Sequence, residues 1–411
     1  MTVDQAAFLV GGKGTRLGPL TASTPKPLLE IADGLIFLDV LIAEAARQGF
    51  TKILLLAGYC GELVEQRYQG RRIRDALVSV VREETPCGTA GALANAVSHL
   101  EPWFLLANGD TFFDVNLRAL AARADERFLA RLALRDVDDV GRFGSVELDG
   151  GRINSFGEKT AGRSGPGLIN AGIYLLNREV ASLVSPPASL ETEVFPRLAA
   201  AGRLEGLRLE GYFLDMGIPE TYARARAEIP ARLSRPAAFL DRDGVLNVEI
   251  GYAHLPEHLQ WIGGAREAIR LLNDKGHFVF VVTNQAGVAR GYYAESEVGA
   301  FHRLMQSELA EAGAHVDAFY YCPFHEDGVL PAYRVPDHPD RKPNPGMIER
   351  AFREWPVRRE GSFLIGDKAS DVQAAERAGL PGYMFDGGDL VDAVREIVRK
   401  NAGATAAPAP C

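Results

Sequence analysis

Glycines and two cations near the start of the chain have the types and spacing needed to bind a polyphosphate. The glycines are Gly11, Gly12 and Gly14. Because glycine has no side chain, backbone N–H groups in such a loop can approach phosphate oxygens closely. Arg16 lies inside the loop, and Lys26 lies between two prolines that keep its backbone extended. A triphosphate would contact both charges, whereas an ordinary strand-to-helix turn, the alternative interpretation, needs neither.

A second set of reactive side chains begins at Asp241. Asp241 and Asp243 directly follow a short apolar run, so carboxylates at i and i+2 leave a strand on the same side. One carboxylate could attack phosphorus while the other transfers a proton. The DxDG pattern also occurs in calcium loops, but those need a glutamate at position twelve, which here is Tyr252. We therefore favour phosphate chemistry over calcium binding.

Single carboxylates follow two other apolar runs, at Asp110 and Asp215. Either could bind a magnesium ion that bridges phosphate oxygens, because Mg²⁺ prefers oxygen ligands. An aspartate after a strand is more often a turn residue or a helix cap, so neither residue is decisive alone.

The elements that must position these residues alternate between strands and helices. Strand-like runs in the first half of the chain cover 6–10, 52–57, 78–81 and 103–107. A helix-like segment at 38–48 lies between the first two. This alternation predicts a mostly parallel sheet covered by helices, and ligands of such sheets bind beyond the carboxyl ends of the strands.

The length of the chain predicts two domains. Its 411 residues are 47% apolar and 24% charged, which is enough for two hydrophobic cores. Prolines and mixed charge interrupt the periodicity at 227–237. We therefore predict domains at 1–230 and 237–398, followed by a disordered tail at 399–411.

Composition also excludes several classes of protein. A formal net charge of -9 argues against a nucleic-acid binder. Four cysteines without a CxxC pair favour a reducing cytoplasm over a disulfide framework. We see no signal peptide and no apolar run near the ~20 residues that span a bilayer. We expect a cytoplasmic protein with small-molecule partners and no membrane contact, and the possibility of a homo-oligomer stays open.

Residues 11–27 read GGKGTRLGPLTASTPKP and resemble the signature GGxGTRLxPLTxxxPKP of sugar-1-phosphate nucleotidyltransferases at every fixed position. The resemblance implies a mixed-sheet, Rossmann-like α/β domain in which Arg16 and Lys26 act on the triphosphate. The nucleotide-binding residues that it implies are Gly11, Gly12, Gly14, Thr15, Glu83, Pro86 and Gly88. It pairs Asp110 with Asp215 as a magnesium site.

Candidate sugar-phosphate residues lie between these two aspartates. They are Gly144, Glu158, Lys159 and Asn170. Glu158 could accept hydrogen bonds from sugar hydroxyls while Lys159 offsets a phosphate, although a surface ion pair is the alternative. Their order in the chain matches the nucleotidyltransferase family, so we favour the site.

The stretch DRDGV at 241–245 resembles the first motif of haloacid dehalogenase-type phosphatases, and the other motifs follow in order. The resemblance implies a second three-layer, Rossmann-like domain with a parallel sheet and a covalent mechanism. Asp241 would form an aspartyl-phosphate, Asp243 would transfer protons, and Lys342 would neutralise charge. The substrate-binding residues that it implies are Thr283, Asn284 and Arg341. The residues that it implies for a second magnesium ion are Asp241, Asp243 and Asp367.

Residues 283–293 and 341–347 resemble the branch that holds heptose bisphosphate and histidinol phosphatases. Many members of this branch bind structural zinc through CxH followed by CxC. Here Cys322 remains, but the other places read Phe324, His338 and Asp340. Because phenylalanine cannot coordinate a metal, we do not expect bound zinc.

Two phosphate chemistries on one chain suggest consecutive steps. The resemblances imply removal of the 7-phosphate from D-glycero-D-manno-heptose 1,7-bisphosphate, then nucleotidyl transfer from GTP to heptose 1-phosphate, giving GDP-heptose and pyrophosphate. A mannose- or glucose-1-phosphate transferase joined to another sugar phosphatase, or to a histidinol phosphatase, is one alternative. A sugar-nucleotide-binding regulatory protein is another, although the intact charged residues argue against it.

Overall fold

The computed structural model describes residues 2–122, 127–142, 145–157 and 165–405. It divides into two units, Met1–Ala231 and Arg232–Cys411. Each unit has a hydrophobic core of its own.

The first unit contains fourteen strands and six α-helices among the described residues. The strands are β1 (Gln5–Leu9), β2 (Glu30–Ala32), β3 (Leu35–Ile36), β4 (Lys52–Ala57), β5 (Arg72–Ile73), β6 (Ala76–Arg82), β7 (Trp103–Asn108), β8 (Thr111–Asp114), β9 (Ala130–Val137), β10 (Ser145–Asp149), β11 (Arg152–Gly157), β12 (Gly167–Asn177), β13 (Leu204–Arg208) and β14 (Tyr212–Asp215). The helices are α1 (Phe37–Arg47), α2 (Gly61–Tyr68), α3 (Gly88–Asn95), α4 (Leu117–Ala121), α5 (Phe195–Ala200) and α6 (Pro219–Arg232).

Ten of these strands form one mixed sheet in the order β10-β11-β13-β9-β12-β7-β1-β4-β6-β5. At its centre β1 pairs in parallel with β7 and β4, and β4 pairs in parallel with β6. The long strand β12 is antiparallel to both β7 and β9. The four parallel strands therefore end at one edge. The mixed sheet confirms the α/β architecture, but the sheet is not mostly parallel as the alternation of elements predicts, because parallel pairing is confined to β7-β1-β4-β6 and β13-β9.

Both faces of this sheet are buried. Leu54 and Leu56 of β4 belong to a core cluster that includes Leu93 of α3 and Phe195 of α5. Leu55 alternates to the opposite face and is fully buried as well. A strand that is apolar on both faces is typical of a sheet covered by helices on each side.

A small antiparallel ladder of β8 and β14 lies outside the main sheet. Its register pairs Asp215 with Thr111, and the Met216 N–H donates to the Asp110 carbonyl at 2.9 Å. The ladder therefore brings together two aspartates that lie about a hundred residues apart in the sequence.

The second unit has five strands and six α-helices among the described residues. The strands are β15 (Ala237–Leu240), β16 (Phe278–Asn284), β17 (Ala318–Cys322), β18 (Phe363–Gly366) and β19 (Gly382–Met384). The helices are α7 (Ala265–Asp274), α8 (Ala286–Ala289), α9 (Glu295–Glu311), α10 (Gly346–Glu354), α11 (Ala369–Arg377) and α12 (Leu390–Thr405). The sheet order is β17-β16-β15-β18-β19, and every pair is parallel.

The central strand β15 shows why this sheet has three layers. Leu240 packs in a cluster with Ile269 of α7 and Met305 of α9. Phe239 points the other way, into a cluster with Ile348 of α10 and Ala374 of α11. Since successive side chains of a strand alternate between faces, each face is covered by its own helices.

The last helix extends into the segment that the sequence predicts to be disordered. Helix α12 reaches Thr405, so the predicted disordered tail overlaps this helix at 399–405, and 406–411 lie outside the described residues. Within the described part of the chain, no helix has the length and apolar character required to cross a membrane.

Candidate functional site

A cavity of about 890 Å³ lies at the carboxyl ends of β1, β4, β6 and β7. All of the predicted nucleotide-binding residues line it, together with Arg16, Lys26 and Asp110. The nucleotide-binding set consists of Gly11, Gly12, Gly14, Thr15, Glu83, Pro86 and Gly88. Residues from four loops therefore meet at one sheet edge, as the motif order predicts.

Gly14 explains why the loop after β1 needs glycine. Its φ of 60° lies in the left-handed region, which disfavours side chains. A Cβ on Gly14 would also lie 3.1 Å from both the Lys26 Cβ and the Thr21 Cγ2. The Thr21 hydroxyl donates to the Gly14 carbonyl at 3.0 Å. The loop is thus packed directly against the stem of Lys26.

Lys26 connects the two aspartates of the first unit. Its Nζ lies 2.6 Å from Asp110 Oδ2 and 3.9 Å from Asp215 Oδ1. A Cβ on Gly217 would meet the Asp215 carboxylate at 3.1 Å and Arg16 Nη2 at 3.5 Å, so Arg16 lies close by. Mg²⁺ is commonly bound by one or two carboxylates together with substrate phosphates. Two partly exposed carboxylates that share Lys26 as a partner beside this cavity fit that ion.

Glu83 lies at the end of β6 against a backbone without side chains. A Cβ on Gly11 would be 2.8 Å from Glu83 Oε1, and a Cβ on Gly58 would overlap the same oxygen. The Cys87 N–H donates to Glu83 Oε2 at 3.3 Å. Burial raises the pKa of Glu83, and this backbone hydrogen bond opposes the rise. Donors from a ligand would further stabilise the ionised carboxylate.

Of the predicted sugar-phosphate residues, Gly144, Glu158 and Lys159 lie outside the described residues. Asn170 lies on β12, and its Nδ2 donates to the Tyr174 hydroxyl at 2.9 Å. Sequence reasoning did not assign Glu191, which lines the cavity and accepts a hydrogen bond from the Thr89 hydroxyl at 2.8 Å. The acidic stretch SLETEVFP at 189–196 was the available signal.

In the second unit, a buried lysine joins two aspartates. Lys342 Nζ lies 2.9 Å from Asp241 Oδ1 and 2.6 Å from Asp371 Oδ1. Burial raises the pKa of Asp241 to about 7, against the opposing effect of Lys342. Burial lowers the pKa of Lys342, but the two carboxylates outweigh it and raise the value overall. Lys342 therefore stays charged next to Asp241.

Three carboxylates here could hold a divalent cation. Oxygens of Asp241, Asp367 and Asp371 lie within 4.8 Å of one another, the one such group of His, Cys, Asp or Glu ligands among the described residues. Asp367 Oδ1 is buried and accepts no hydrogen bond, as expected of an atom reserved for a ligand. A Cβ on Gly244, at φ 90°, would overlap the Asp367 carboxylate, so only glycine fits there. These residues fit Mg²⁺.

Asp243 does not join that carboxylate group. Its carboxylate instead forms an ion pair with Arg242, with Nη2 2.8 Å from Oδ2. Of the three predicted magnesium ligands, the structure brings Asp241 and Asp367 together and adds Asp371 to them. The Asp243 side chain is paired with Arg242 and is not part of this group. The sequence shows Asp371 one helical turn beyond Asp367, but it does not show in which direction the Arg242 side chain points.

The predicted phosphate-binding residues at the end of β16 have different surroundings. The Thr283 hydroxyl accepts a hydrogen bond from Gln285 Nε2 at 2.9 Å. Asn284 exchanges two 3.1 Å hydrogen bonds with the main chain of Lys342, one to its carbonyl and one from its N–H. Arg341 Nη1 donates to the Phe324 carbonyl at 3.1 Å. Asn284 and Arg341 therefore both hold the loop that contains Lys342.

The segment where relatives carry zinc is built from an aromatic stack. Phe324 stacks on His338 with ring centroids 4.1 Å apart. Cys322 Sγ lies 3.9 Å from His338 Nδ1, and that nitrogen accepts the Asp340 N–H at 3.1 Å. Burial raises the pKa of the Cys322 thiol to about 11, which disfavours the thiolate that zinc requires. These residues do not fit a zinc site.

Comparison with known proteins matches each unit separately. A family model described as nucleotidyl transferase matches residues 5–232, and one described as HAD-hydrolase-like matches residues 340–400. The D-glycero-beta-D-manno-heptose-1,7-bisphosphate 7-phosphatase of Rhodopseudomonas palustris is 50% identical over 165 residues, covering 40% of this chain and 91% of that protein. The D-glycero-D-manno-heptose-1,7-bisphosphate 7-phosphatase of Thermosynechococcus vestitus is 44% identical over 160 residues, 38% of this chain and 81% of that protein.

Among the solved structures to which this chain is similar, one is matched over its whole length. It is HddC from Yersinia pseudotuberculosis, with 29% identity and a TM-score of 0.48. The match covers 56% of this chain and all of that one.

Proposed function

Because this chain belongs to the nucleotidyl transferase family and continues into a phosphatase unit of the heptose bisphosphate phosphatase family, we propose that it is a bifunctional enzyme of nucleotide-activated heptose synthesis. The phosphatase unit removes the 7-phosphate of D-glycero-D-manno-heptose 1,7-bisphosphate. The transferase unit then joins heptose 1-phosphate to GMP from GTP and releases pyrophosphate. The observation that supports the heptose assignment is the 50% identity over 165 residues to a phosphatase of that name.

In the transferase unit, a phosphate oxygen of the sugar 1-phosphate attacks the α-phosphorus of the triphosphate. The P–O bond to the β-phosphate breaks, and pyrophosphate leaves with that oxygen. Arg16 and Lys26, on the cavity wall, stabilise the charge that develops on the phosphates. Asp110 and Asp215 would hold Mg²⁺, which neutralises triphosphate charge when bound. Glu158 and Lys159 remain our candidates for binding the sugar phosphate.

Glu83 supports the choice of guanine. On the base-pairing edge of guanine, the N1–H and N2–H₂ donors are adjacent, so both can reach one carboxylate. Uracil offers a single N–H between two carbonyls, which would face the carboxylate unfavourably. The Glu83 carboxylate lines the cavity and lies against Gly11 and Gly58, whose missing side chains leave room for the carboxylate itself. Guanine therefore satisfies a half-buried carboxylate that the other bases leave short of donors.

In the phosphatase unit, Asp241 attacks the phosphorus and the ester bond to the sugar oxygen breaks. Asp243, in its protonated form, gives a proton to that oxygen, and the resulting carboxylate then takes a proton from the water that hydrolyses the aspartyl-phosphate. Lys342, 2.9 Å from Asp241 Oδ1, neutralises charge between nucleophile and phosphate. Asp241, Asp367 and Asp371 would hold Mg²⁺, which shields the incoming phosphate dianion from the carboxylates when bound.

The order of the two reactions follows from their chemistry. The phosphatase product keeps its 1-phosphate, which is the nucleophile that the transferase needs. We place both reactions in the cytoplasm, where GTP is available, and we retain 1–230 and 237–398 as the limits of the two functional domains. We also propose that the loop of Cys322 works without zinc, and metal analysis of the purified protein tests this.

One experiment tests the combined function. The enzyme receives heptose 1,7-bisphosphate, magnesium and each nucleoside triphosphate in turn, and mass spectrometry identifies the nucleotide sugars. We expect GDP-heptose with GTP, and heptose 1-phosphate to accumulate when no triphosphate is added. Turnover of mannose 1-phosphate, glucose 1-phosphate or histidinol phosphate in preference to heptose would contradict the substrate assignment, and absence of any turnover would favour a regulatory binding protein.

A variant tests the base assignment separately. Glu83→Gln replaces one acceptor by a donor, so kcat/KM with GTP should fall about 100-fold while that with UTP changes little or rises. Glu84→Gln is the matched control, since Glu84 lines the same cavity but has no assigned partner. Equal losses with all bases in Glu83→Gln would show that Glu83 does not read the base.

A further inference from the structure

The arginine between the two reactive aspartates points into the protein. The side chain of Arg242 is fully buried, and Asp243 is 16% exposed. Arg242 Nη2 lies 2.8 Å from Asp243 Oδ2, and Arg242 Nε lies 3.1 Å from both carboxylate oxygens. This contact at two nitrogens sets both the position and the plane of the carboxylate, because a guanidinium is rigid and flat.

The guanidinium is itself held on every side. Nη2 donates to the Ala253 carbonyl at 2.8 Å and to Gln285 Oε1 at 3.1 Å. The Arg242 Cζ lies 4.9 Å from the centre of the Phe301 ring. Nη1 lies 3.4 Å from His302 Nε2. Burial and the nearby Arg242 lower the pKa of His302 to about 3, so this imidazole is neutral and does not repel the cation.

A second donor reaches Asp243 from the end of β16. Gln285 Nε2 donates to Asp243 Oδ2 at 3.1 Å, and Gln285 is itself 2% exposed. The Tyr293 hydroxyl donates to Gln285 Oε1 at 2.8 Å, which orients the amide so that its NH₂ group faces Asp243. Arg242 and Gln285 thus approach the same carboxylate from two different elements.

We infer that Arg242 and Gln285 are positioning residues that hold the Asp243 carboxyl group in line with the leaving oxygen of the phosphate ester. The inference rests on the proposed phosphatase function of this unit. Proton transfer requires donor and acceptor at hydrogen-bonding distance and in good alignment. A carboxyl group without this support would sample other rotamers and protonate the leaving oxygen less often.

The chemistry of the leaving group separates this role from a merely structural one. A sugar oxygen is a poor leaving group, so its ester bond breaks only when Asp243 supplies a proton. The p-nitrophenolate anion is stable at neutral pH and leaves without one. Loss of alignment at Asp243 should therefore lower kcat/KM for the sugar phosphate selectively, whereas general damage to the site would lower both values by the same factor.

The test compares the two esters in the full-length chain. Arg242→Lys keeps a buried cation but loses the planar fork, and Gln285→Met removes the second donor with little change in volume. We expect each to lower kcat/KM for heptose 1,7-bisphosphate about 10- to 100-fold and that for p-nitrophenyl phosphate less than threefold. Having two variants guards against one that fails to fold, and inhibition by orthovanadate checks that the phosphate site is intact.

Three controls complete the comparison. Asp243→Asn should show the same selectivity with a larger loss on the sugar phosphate. Arg235→Lys alters another buried arginine of this unit and should leave the ratio between the esters unchanged. Asp241→Asn should abolish hydrolysis of both esters.

The outcomes separate the two claims. Equal losses on both esters, or no loss on the sugar phosphate, in Arg242→Lys and Gln285→Met would overturn the positioning role while leaving the phosphatase function in place. Hydrolysis at a normal rate by Asp241→Asn would instead overturn the proposed function itself.

Discussion

Each unit places a lysine beside two aspartates, but the exposure of the aspartates to water differs between the units. In each, one lysine lies against two aspartates at the edge of a sheet. Around Lys26 the aspartate side chains are 34% and 37% exposed. Around Lys342 they are 8% and 1% exposed. The first arrangement can exchange its partners with water and ligand, whereas the second is enclosed by protein.

This difference shows how burial changes what a lysine does. In the open site, water solvates the carboxylates when the ammonium is removed, so the loss is mainly catalytic. In the closed site, no water replaces the ammonium, and two carboxylates would remain unpaired at low dielectric. We therefore expect Lys342 to maintain the fold as well as the proposed chemistry, and Lys26 to serve mainly the proposed chemistry.

Removing Lys342 should have the largest effect. Lys342→Met should destabilise the phosphatase unit by about 3–5 kcal/mol, because two buried aspartates lose their shared cation, and should abolish release of phosphate. Urea unfolding followed by tryptophan fluorescence measures the first effect, and a phosphate assay the second. The transferase rate of the same chain is the internal control. A loss of stability below about 1 kcal/mol would contradict the comparison.

Removing Lys26 should mainly affect turnover. Lys26→Met should lower the transferase kcat about 10²- to 10³-fold, since a charge aimed at the phosphates is lost, and should cost less stability than Lys342→Met because its two aspartates are open to water. Pyrophosphate release and urea unfolding measure the two effects. Lys13→Met is the matched control, because Lys13 lines the same cavity and has no assigned role. A large loss of stability in Lys26→Met would remove the distinction between the sites.

A double variant sharpens the explanation for the closed site. Asp371→Asn removes one of the two carboxylates that Lys342 neutralises. Added to Lys342→Met, it should recover about 2–3 kcal/mol of the lost stability without restoring phosphatase activity. If the two changes were simply additive and destabilising, the lost packing of the lysine stem would explain the effect better than charge.

The stability of the two units should also respond differently to acid, because every histidine except His99 lies in the second unit. Burial lowers the pKa of His277 to about 4, below its unfolded value near 6.5. The stability that neutral His277 contributes is complete above about pH 6.5 and is lost as the pH falls toward 4. The loss is about 2 kcal/mol by pH 5.

The variant His277→Phe keeps a ring beside Phe363, which lies 6.1 Å away between centroids. It should reduce the decrease in the urea midpoint of the phosphatase unit between pH 7 and pH 5. The transferase unit, measured by its activity in the same titration, should show no change between variant and parent. An unchanged pH dependence in the variant would show that His277 does not contribute.

The sequence predicted several central elements and the family of each unit correctly. The strand predicted at 52–57 is β4 without adjustment, and the helix predicted at 38–48 is α1 within a residue at each end. Such success has a physical basis, because a strand buried on both faces must be apolar throughout. The two family resemblances are confirmed for the same reason, since glycines and charges in their motifs have fixed steric and electrostatic tasks.

Other features depend on tertiary contacts that spacing does not encode. Arg242 lies between two aspartates in the sequence, and these neighbours do not indicate that its side chain turns inward toward Phe301. Asp371 follows a predicted metal ligand, but 28 residues separate it in sequence from Lys342, which it contacts. Polar residues within motifs were predicted to contact substrate, and some of them also hold other parts of the site in place.

Asn284 is one of these residues, and its position has a mechanical consequence. Its side-chain amide forms hydrogen bonds with both the carbonyl and the N–H of Lys342. These hydrogen bonds attach the segment that contains Lys342 to the end of strand β16. The cation therefore moves with the sheet and not with its own loop. The binding and release of a ligand should therefore leave the 2.9 Å distance between the Lys342 ammonium and Asp241 unchanged.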